Sequence, residues 1–352
     1  MALLIEGGRI PPRWAEHLGQ REGATTDEHV VPSDALRIAF INNMPDAALE
    51  DTEVQFFELL NSASGATPVC VKLCAIEEVP RGEPGQRHLT AFYAGADVLF
   101  KGRFDAVIMT GTEPRSANLR DEPYWQTLAN VIDWAENNTT STVFSCLAAH
   151  AAVLHRDGIP RRPLSDKQFG VFESMNTGDH ELTRSAPAQV RFPHSRWNEV
   201  REDDLLASGY RILTKSADAG ADLFVKKTKR SLFVNFQGHP EYGSLTLLKE
   251  FRRDIRRFLK RERETFPTMP KGYFDAEAEH LLSEFREQAL SDPREERITA
   301  FPEAAVASTL QHSWKPSSIC IYSNWLRYVT SRKVRVSAFA VATSSHIGSP
   351  TL

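Results

Sequence analysis

Short apolar runs alternate along the first half of the chain with stretches whose apolar positions recur every three to four residues. The runs at 37–42 (RIAFIN), 69–76 (VCVKLCAI), 104–112 (FDAVIMTGT) and 141–146 (STVFSC) are nearly all apolar, the pattern of strands buried on both faces. Between them lie helical patterns. TEVQFFELLNSAS (52–64) carries apolar Val54, Phe57, Leu59 and Leu60, with Thr52 expected as its cap. A short helix is expected within 81–95, and 122–138 places Trp125, Leu128, Ile132 and Trp134 near one face. Strand and helix alternating at this interval imply right-handed crossovers and a mostly parallel sheet covered on both sides, a doubly wound α/β fold. In such folds functional side chains collect beyond the carboxyl ends of the strands, where Thr110-Gly111-Thr112 and Cys146 fall.

The second half is less regular. Residues 170–183 read as loop, 191–200 as a segment with a proline-broken motif at 193–197, and 211–216 and 222–242 as strand, hairpin and a last strand. A long amphipathic helix is expected over 245–264 and another helix over 274–289. Three parts are expected: an N-terminal arm rich in Gly, Pro and charge (1–35), a main domain (36–265), and a partly helical C-terminal extension (266–352) with a poorly ordered tail from 336.

Composition narrows the function. The 352 residues are 41% apolar with a net charge of −4, so no global basic field draws the chain to nucleic acid or acidic lipid. No run of about 18 uncharged apolar residues suits a membrane span, and the N-terminus lacks a signal-peptide pattern. A cytoplasmic enzyme of small molecules is expected. The four cysteines show no disulfide spacing, and Cys70 and Cys74 are expected in the core rather than on a metal. No metal and no permanently bound cofactor is expected, and no glycine-rich phosphate loop of standard spacing is present.

The chemistry sits at two strand ends. A cysteine at a sharp strand-to-helix turn stands above the sheet, facing the free N–H groups and positive dipole end of the next helix. Cys146, followed by Leu147 and the small residues Ala148, Ala149, Ala151 and Ala152, has that placing. One turn would supply a nucleophile and, through the Leu147 amide, half of an oxyanion site. A buried structural cysteine has the same local pattern. NFQGHPEY (235–242) supplies the complement: His239 as base and Glu241 as its orienting carboxylate, at the end of an apolar strand. Alone, that segment would also suit a surface turn with an incidental histidine.

Taken together the motifs are specific. INNMP followed by TEVQF, VIMTG, PYW at 123–125, the stretch 141–154, KQFGVFE at 167–173, PHSRW at 193–197, GHPEY and EFRRD at 250–254 occur in one order, with SNWLRY (323–328) as a fainter echo. In this the chain resembles the homoserine O-acyltransferase family, whose fold is class I glutamine amidotransferase-like (flavodoxin-like). The resemblance implies ping-pong transfer of an acyl group from acyl-CoA, as co-substrate, to the homoserine hydroxyl in methionine biosynthesis. Cys146 would carry the acyl group, with His239 and Glu241 completing the triad. It further implies that Glu250 and Arg253 grip the acceptor's ammonium and carboxylate, that Ser195 and Arg196 line the same pocket, and that Lys167 lies near the acyl or coenzyme end. A homodimer is expected by the same likeness.

The departures matter. Family members usually carry a lysine soon after N-x-M-P, where this chain has Asp46, Ala47 and Ala48; Leu147 replaces a bulky aromatic and His150 a glutamine. Serine is therefore an alternative acceptor. The position that the resemblance assigns to acyl choice holds Arg115, whose charge complements a succinyl carboxylate and gains nothing from an acetyl methyl. The rivals are an amidotransferase or hydrolase using the same triad on an amide, and a catalytically silent binding protein. The basic run RRDIRRFLKRERE suits a solvated helix face, with coenzyme phosphates as the alternative.

Overall fold

The computed structural model describes residues 3–19 and 31–344, with side chains described to residue 333. In chain order, strand β1 (Leu3–Ile5), helix α1 (Pro12–Gly19), β2 (Leu36–Ile41), α2 (Asp46–Ser64), β3 (Val69–Cys74), α3 (Glu83–Phe92), α4 (Ala96–Lys101), β4 (Ala106–Met109), α5 (Trp125–Asn138), β5 (Ser141–Ser145) and α6 (Leu147–Asp157) build the first half. The second half adds β6 (Arg162–Asn176), β7 (Gln189–Glu199), α7 (Glu202–Ala207), β8 (Arg211–Ile212), β9 (Thr214–Ser216), β10 (Gly220–Ala221), β11 (Leu223–Lys227), β12 (Leu232–Phe236), α8 (Thr246–Leu259), α9 (Ala276–Ser291), α10 (Glu303–Thr309) and α11 (Lys315–Ser344).

The expected doubly wound sheet is present. Eight strands run in the order β1-β3-β2-β4-β5-β12-β11-β8, parallel from β1 through β12 and antiparallel at the β12–β11 and β11–β8 pairings. Alternation along the strands divides the core. Ile38, Phe40, Ile108, Val143 and Val234 face α2 and α11, while Ala39, Ile41, Val107, Met109 and Phe144 face α5 and α6. Each large side chain buried in this way contributes roughly 1.5–3 kcal/mol.

Several expectations give way. α2 starts at Asp46 behind an extended Pro45, not at Thr52, which is buried inside the helix. DAALED contains no breaker, so the helix extends back until proline stops it. Of the stretch 170–183, expected as loop, residues 170–176 lie in β6 while 177–183 is loop with a single 3-10 turn, and 193–197 lies within β7; these strands pair antiparallel in a second sheet, β10-β9-β6-β7. Pro193 is tolerated because β7 is an edge strand, where a missing N–H costs no ladder bond. The segments expected outside 36–265 join the same cores. Leu3, Trp14 and Leu18 are buried in the main cluster, with Trp14 edge-on to Phe57. From α11, Ile321, Tyr322, Trp325 and Leu326 enter that cluster, and Trp325 Nε1 donates to Ser141 Oγ at 2.9 Å, bracing β5 from behind. α9 and α10 pack with α8. The expected disordered tail runs as helix to Ser344; residues 345–352, and 1–2 and 20–30 of the expected arm, lie outside the described residues. Among the described residues no helix is long and apolar enough to cross a membrane, and no group of three or more His, Cys, Asp or Glu is placed to hold a metal ion. Burial pushes the Cys70 and Cys74 thiols up to about 11 and about 12.

Candidate active site

β5 ends at Ser145 and α6 begins at Leu147, so Cys146 makes the whole turn. Its φ of 51° and ψ of −109° are rare for a residue with a Cβ and hold on the order of 1–3 kcal/mol of strain. The surroundings enforce it. The Cys146 amide donates to Phe236 O at 2.8 Å, locking the nucleophile candidate to the end of β12. The first amides of α6 have no acceptor within the helix and face the same side. Gly111, just beyond β4, closes against them: a Cβ there would lie 3.0 Å from Leu147 N and 2.8 Å from Leu147 Cβ. Only glycine lets that loop approach the amide so closely.

The chain leaving β12 carries the other two members. His239 Nδ1 bonds Glu241 Oε1 at 2.8 Å, and the same oxygen accepts from Ser145 Oγ at 3.1 Å. With Nδ1 so engaged, the other ring nitrogen serves the hydrogen bond that His239 shares with Cys146. Burial works against an imidazolium here, but the interactions with Cys146 and Glu241 outweigh it and raise the His239 pKa well above its ordinary value. Tyr242 stacks on the ring at 4.1 Å between centroids and 17° between planes, fixing its tilt. The expected triad is thus assembled from two adjacent strand ends.

A buried polar frame supports it from behind. His239 N donates to Pro193 O at 2.8 Å, and Gly238 N to Asp222 Oδ1 at 2.8 Å. Asp222 faces His194 Nε2 at 3.5 Å, and burial lifts its carboxyl to about 6. Gln237 Oε1 receives the Val200 amide and pairs with His150 Nε2 at 3.0 Å; burial lowers His150 to about 3, so it stays neutral.

The residues expected to hold the acceptor also converge. Glu250 accepts from Ser195 Oγ and from Tyr242 Oη at 2.8 Å, and Lys167 Nζ lies 3.4 Å from it and 3.1 Å from Asp254. Lys167 therefore sits within this charged cluster, its ammonium 3.8 Å above the Phe169 ring. Arg253 bonds Asp254 Oδ1 through Nε and Nη2 at 3.2 Å and is half exposed, leaving part of its fork to the cleft. Arg196 is buried; its donors go to His194 Nδ1, Asn198 O and Ala219 O, so it braces the wall. Arg115 is exposed on the rim, where Glu122 holds the amides of Arg115 and Ser116 at 2.6 and 2.5 Å. Asp46, at the departure after N-x-M-P, accepts from Gly82 N at 3.0 Å and steadies the start of α3.

Cys146, His239, Glu241, Lys167, Ser195, Arg196, Glu250, Arg253 and Arg115 line one cleft of about 1140 Å³. Sequence reasoning missed Asp254, Tyr242, Ser145, Asp222 and Arg161, which donates to Ser116 O and Ala117 O on the cleft wall. Asp254 was discoverable from its i,i+4 spacing to Glu250 on an amphipathic helix. The others carry no local signal.

The family model described as homoserine O-succinyltransferase matches residues 22–336. A homoserine O-succinyltransferase from Rhodopseudomonas palustris is 41% identical over 309 residues, covering 86% of this chain and 92% of the relative. One from Methylorubrum extorquens is 42% identical over 297 residues, covering 84% and 88%. Among solved structures, a glutamine amidotransferase from Thermotoga maritima overlays with a TM-score of 0.46 at 12% identity, covering 86% of this chain and 99% of that one.

Proposed function

The chain belongs to the homoserine O-succinyltransferase family, and from that premise we propose that it moves a succinyl group from succinyl-CoA to the side-chain hydroxyl of L-homoserine through a thioester on Cys146. The observation that carries this reading is the hydrogen-bonded line Cys146–His239–Glu241 on the floor of a cleft whose wall holds Glu250 and Arg253.

Cys146 Sγ attacks the thioester carbonyl, and negative charge gathers on its oxygen. The Leu147 amide, with the backbone at Gly111 beside it, is the stabilising site. Collapse breaks the bond to the coenzyme sulfur, and the proton on His239 goes to that leaving thiolate. The hydroxyl of homoserine then gives its proton to the now neutral His239 and attacks the acyl-enzyme. The second collapse restores Cys146, and the imidazolium–carboxylate pair of His239 and Glu241 is regenerated. Arg253 suits the amino acid's carboxylate and Glu250 its ammonium, each group already oriented by neighbours. Arg115, exposed on the rim, pairs with the free carboxylate of the succinyl group. The product enters methionine biosynthesis.

Purified protein supplied with succinyl-CoA and L-homoserine should release free coenzyme thiol and form O-succinylhomoserine, with acetyl-CoA and L-serine much poorer. Ammonia release from glutamine without acyl transfer, or a clear preference for acetyl-CoA or serine, would overturn the assignment.

A further inference from the structure

The cleft is charged differently at its two ends. Among the described residues eight Lys and Arg side chains against six Asp and Glu line it, although the chain as a whole carries −4. At the inner end the cations are engaged: Lys167 and Arg253 by Glu250 and Asp254, Arg196 by backbone carbonyls. Toward the mouth, Arg257 and Arg263 pair with no carboxylate within 4.0 Å among the described residues. Trp197, 49% exposed, lines the same cleft, with the Arg263 guanidinium 5.9 Å from its ring centroid.

Two elements lead outward to this spot. On β7, Ser195 bonds the inner carboxylate of Glu250, and Trp197, two residues on, lies on the same strand face about 7 Å farther. On α8, Glu250, Arg253 and Arg257 follow one stripe, which carries Arg257 about 10 Å along the axis from Glu250. A single exposed indole is ordinary on a protein surface. An indole on a cleft wall, capped by a guanidinium whose Nε is fixed by Thr265 O at 2.8 Å and sharing the cleft with a second guanidinium that meets no carboxylate among the described residues, matches a ligand that is both planar aromatic and anionic.

We infer that this outer end, formed by Trp197, Arg257 and Arg263, binds the adenosine bisphosphate portion of the acyl donor. The inference rests on the acyl-CoA reading above and adds the place of the nucleotide. The base stacks on the Trp197 indole, and the phosphates take the two guanidinium groups. The uncharged pantetheine arm then runs inward along the Arg257-to-Glu250 stripe toward Cys146. The basic segment after Glu250 thereby serves a ligand, where the sequence alone favoured a solvated face.

The test compares two donors on the full-length enzyme: succinyl-CoA and succinyl-pantetheine, the same thioester without the nucleotide. The wild type should favour succinyl-CoA strongly in kcat/KM. Trp197→Ala should narrow that ratio by between about five- and a hundredfold, mainly through KM for succinyl-CoA, and Trp197→Phe should keep most of it. Arg257→Ala with Arg263→Ala should narrow it further and flatten its dependence on salt. Adenosine 3′,5′-bisphosphate should compete with succinyl-CoA and bind the variants more weakly. If the variants lower both donors by the same factor, or if the bisphosphate binds while the two donors perform alike, the subsite is wrong. If neither thioester acylates homoserine in the wild type, the function reading fails instead, and direct titration of the bisphosphate into wild type and Trp197→Ala decides the subsite separately.

Discussion

Gly238→Ala probes the buried frame with a single methyl group. A Cβ at Gly238 would lie 2.9 Å from each of Asp222 Oδ1, His194 Nε2 and Pro193 O, where unstrained contact starts near 3.4 Å. None of the three can swing away. Asp222 and His194 are fully buried and face each other, and Pro193 O is the acceptor of the His239 amide. The Gly238–His239 backbone must therefore retreat by about half an ångström from β7, at a cost of roughly 1–3 kcal/mol of stability. Because His239 is held by Cys146, Glu241 and the stacked Tyr242, the shift is felt at the reacting atoms, where misplacement by about 1 Å costs on the order of a hundredfold in rate. The expected outcome is a folded variant whose kcat for coenzyme release falls between about ten- and a hundredfold, with a lowered melting temperature. Gly243→Ala is the control, since its Cβ would meet only Thr246 Oγ1 at 3.7 Å. A Gly238→Ala enzyme that turns over within a factor of two of wild type would refute the claim that the frame sets His239.

Glu241→Gln should lower kcat by a hundredfold or more, as an order of magnitude, and move the alkaline limb of the pH profile to lower pH, because the Glu241 charge is one of the effects raising His239. Burial pushes Asp254 up, but Lys167 and Arg253 outweigh it and hold its pKa below the ordinary value, so its contribution to stability is present above about pH 4 and is lost as pH falls through the lowered folded value. Asp254→Asn should thus cost on the order of 3 kcal/mol at neutral pH in denaturant titrations, a gap that narrows at pH values below about 4. Arg115→Gly should erode the preference for succinyl-CoA over acetyl-CoA in competition assays; an unchanged ratio would remove Arg115 from acyl choice.

The sheet and the triad were legible because their signals are local. Buried parallel strands leave unbroken apolar runs, and a cysteine before a run of alanines, or a His-Pro-Glu after SLFVNF, marks a strand end without any knowledge of its neighbours. The antiparallel second sheet was hidden for the opposite reason. Within 170–176, β6 buries Gly170, Val171 and Phe172 but then exposes Glu173 and Met175, so this short stretch with its glycine read as loop. The N-terminal segment was misjudged because Trp14 and Leu18, four residues apart, bury a face too short to stand out among Gly and Pro. Thr52 looked like a cap, yet Pro45 ends the helix by chemistry that outranks a hydroxyl. What no periodicity could give is the frame of Asp222, His194 and Gln237 behind the turn, whose members come from β7, the segment between β10 and β11, and the end of β12.

Intact mass of the protein after exposure to succinyl-CoA alone tests the central claim most directly. A gain of one succinyl group, located on Cys146, absent in Cys146→Ala and discharged by added homoserine, is the expected result. A protein that stays at its unmodified mass while still transferring succinyl to homoserine, or whose adduct survives in Cys146→Ala, would contradict it.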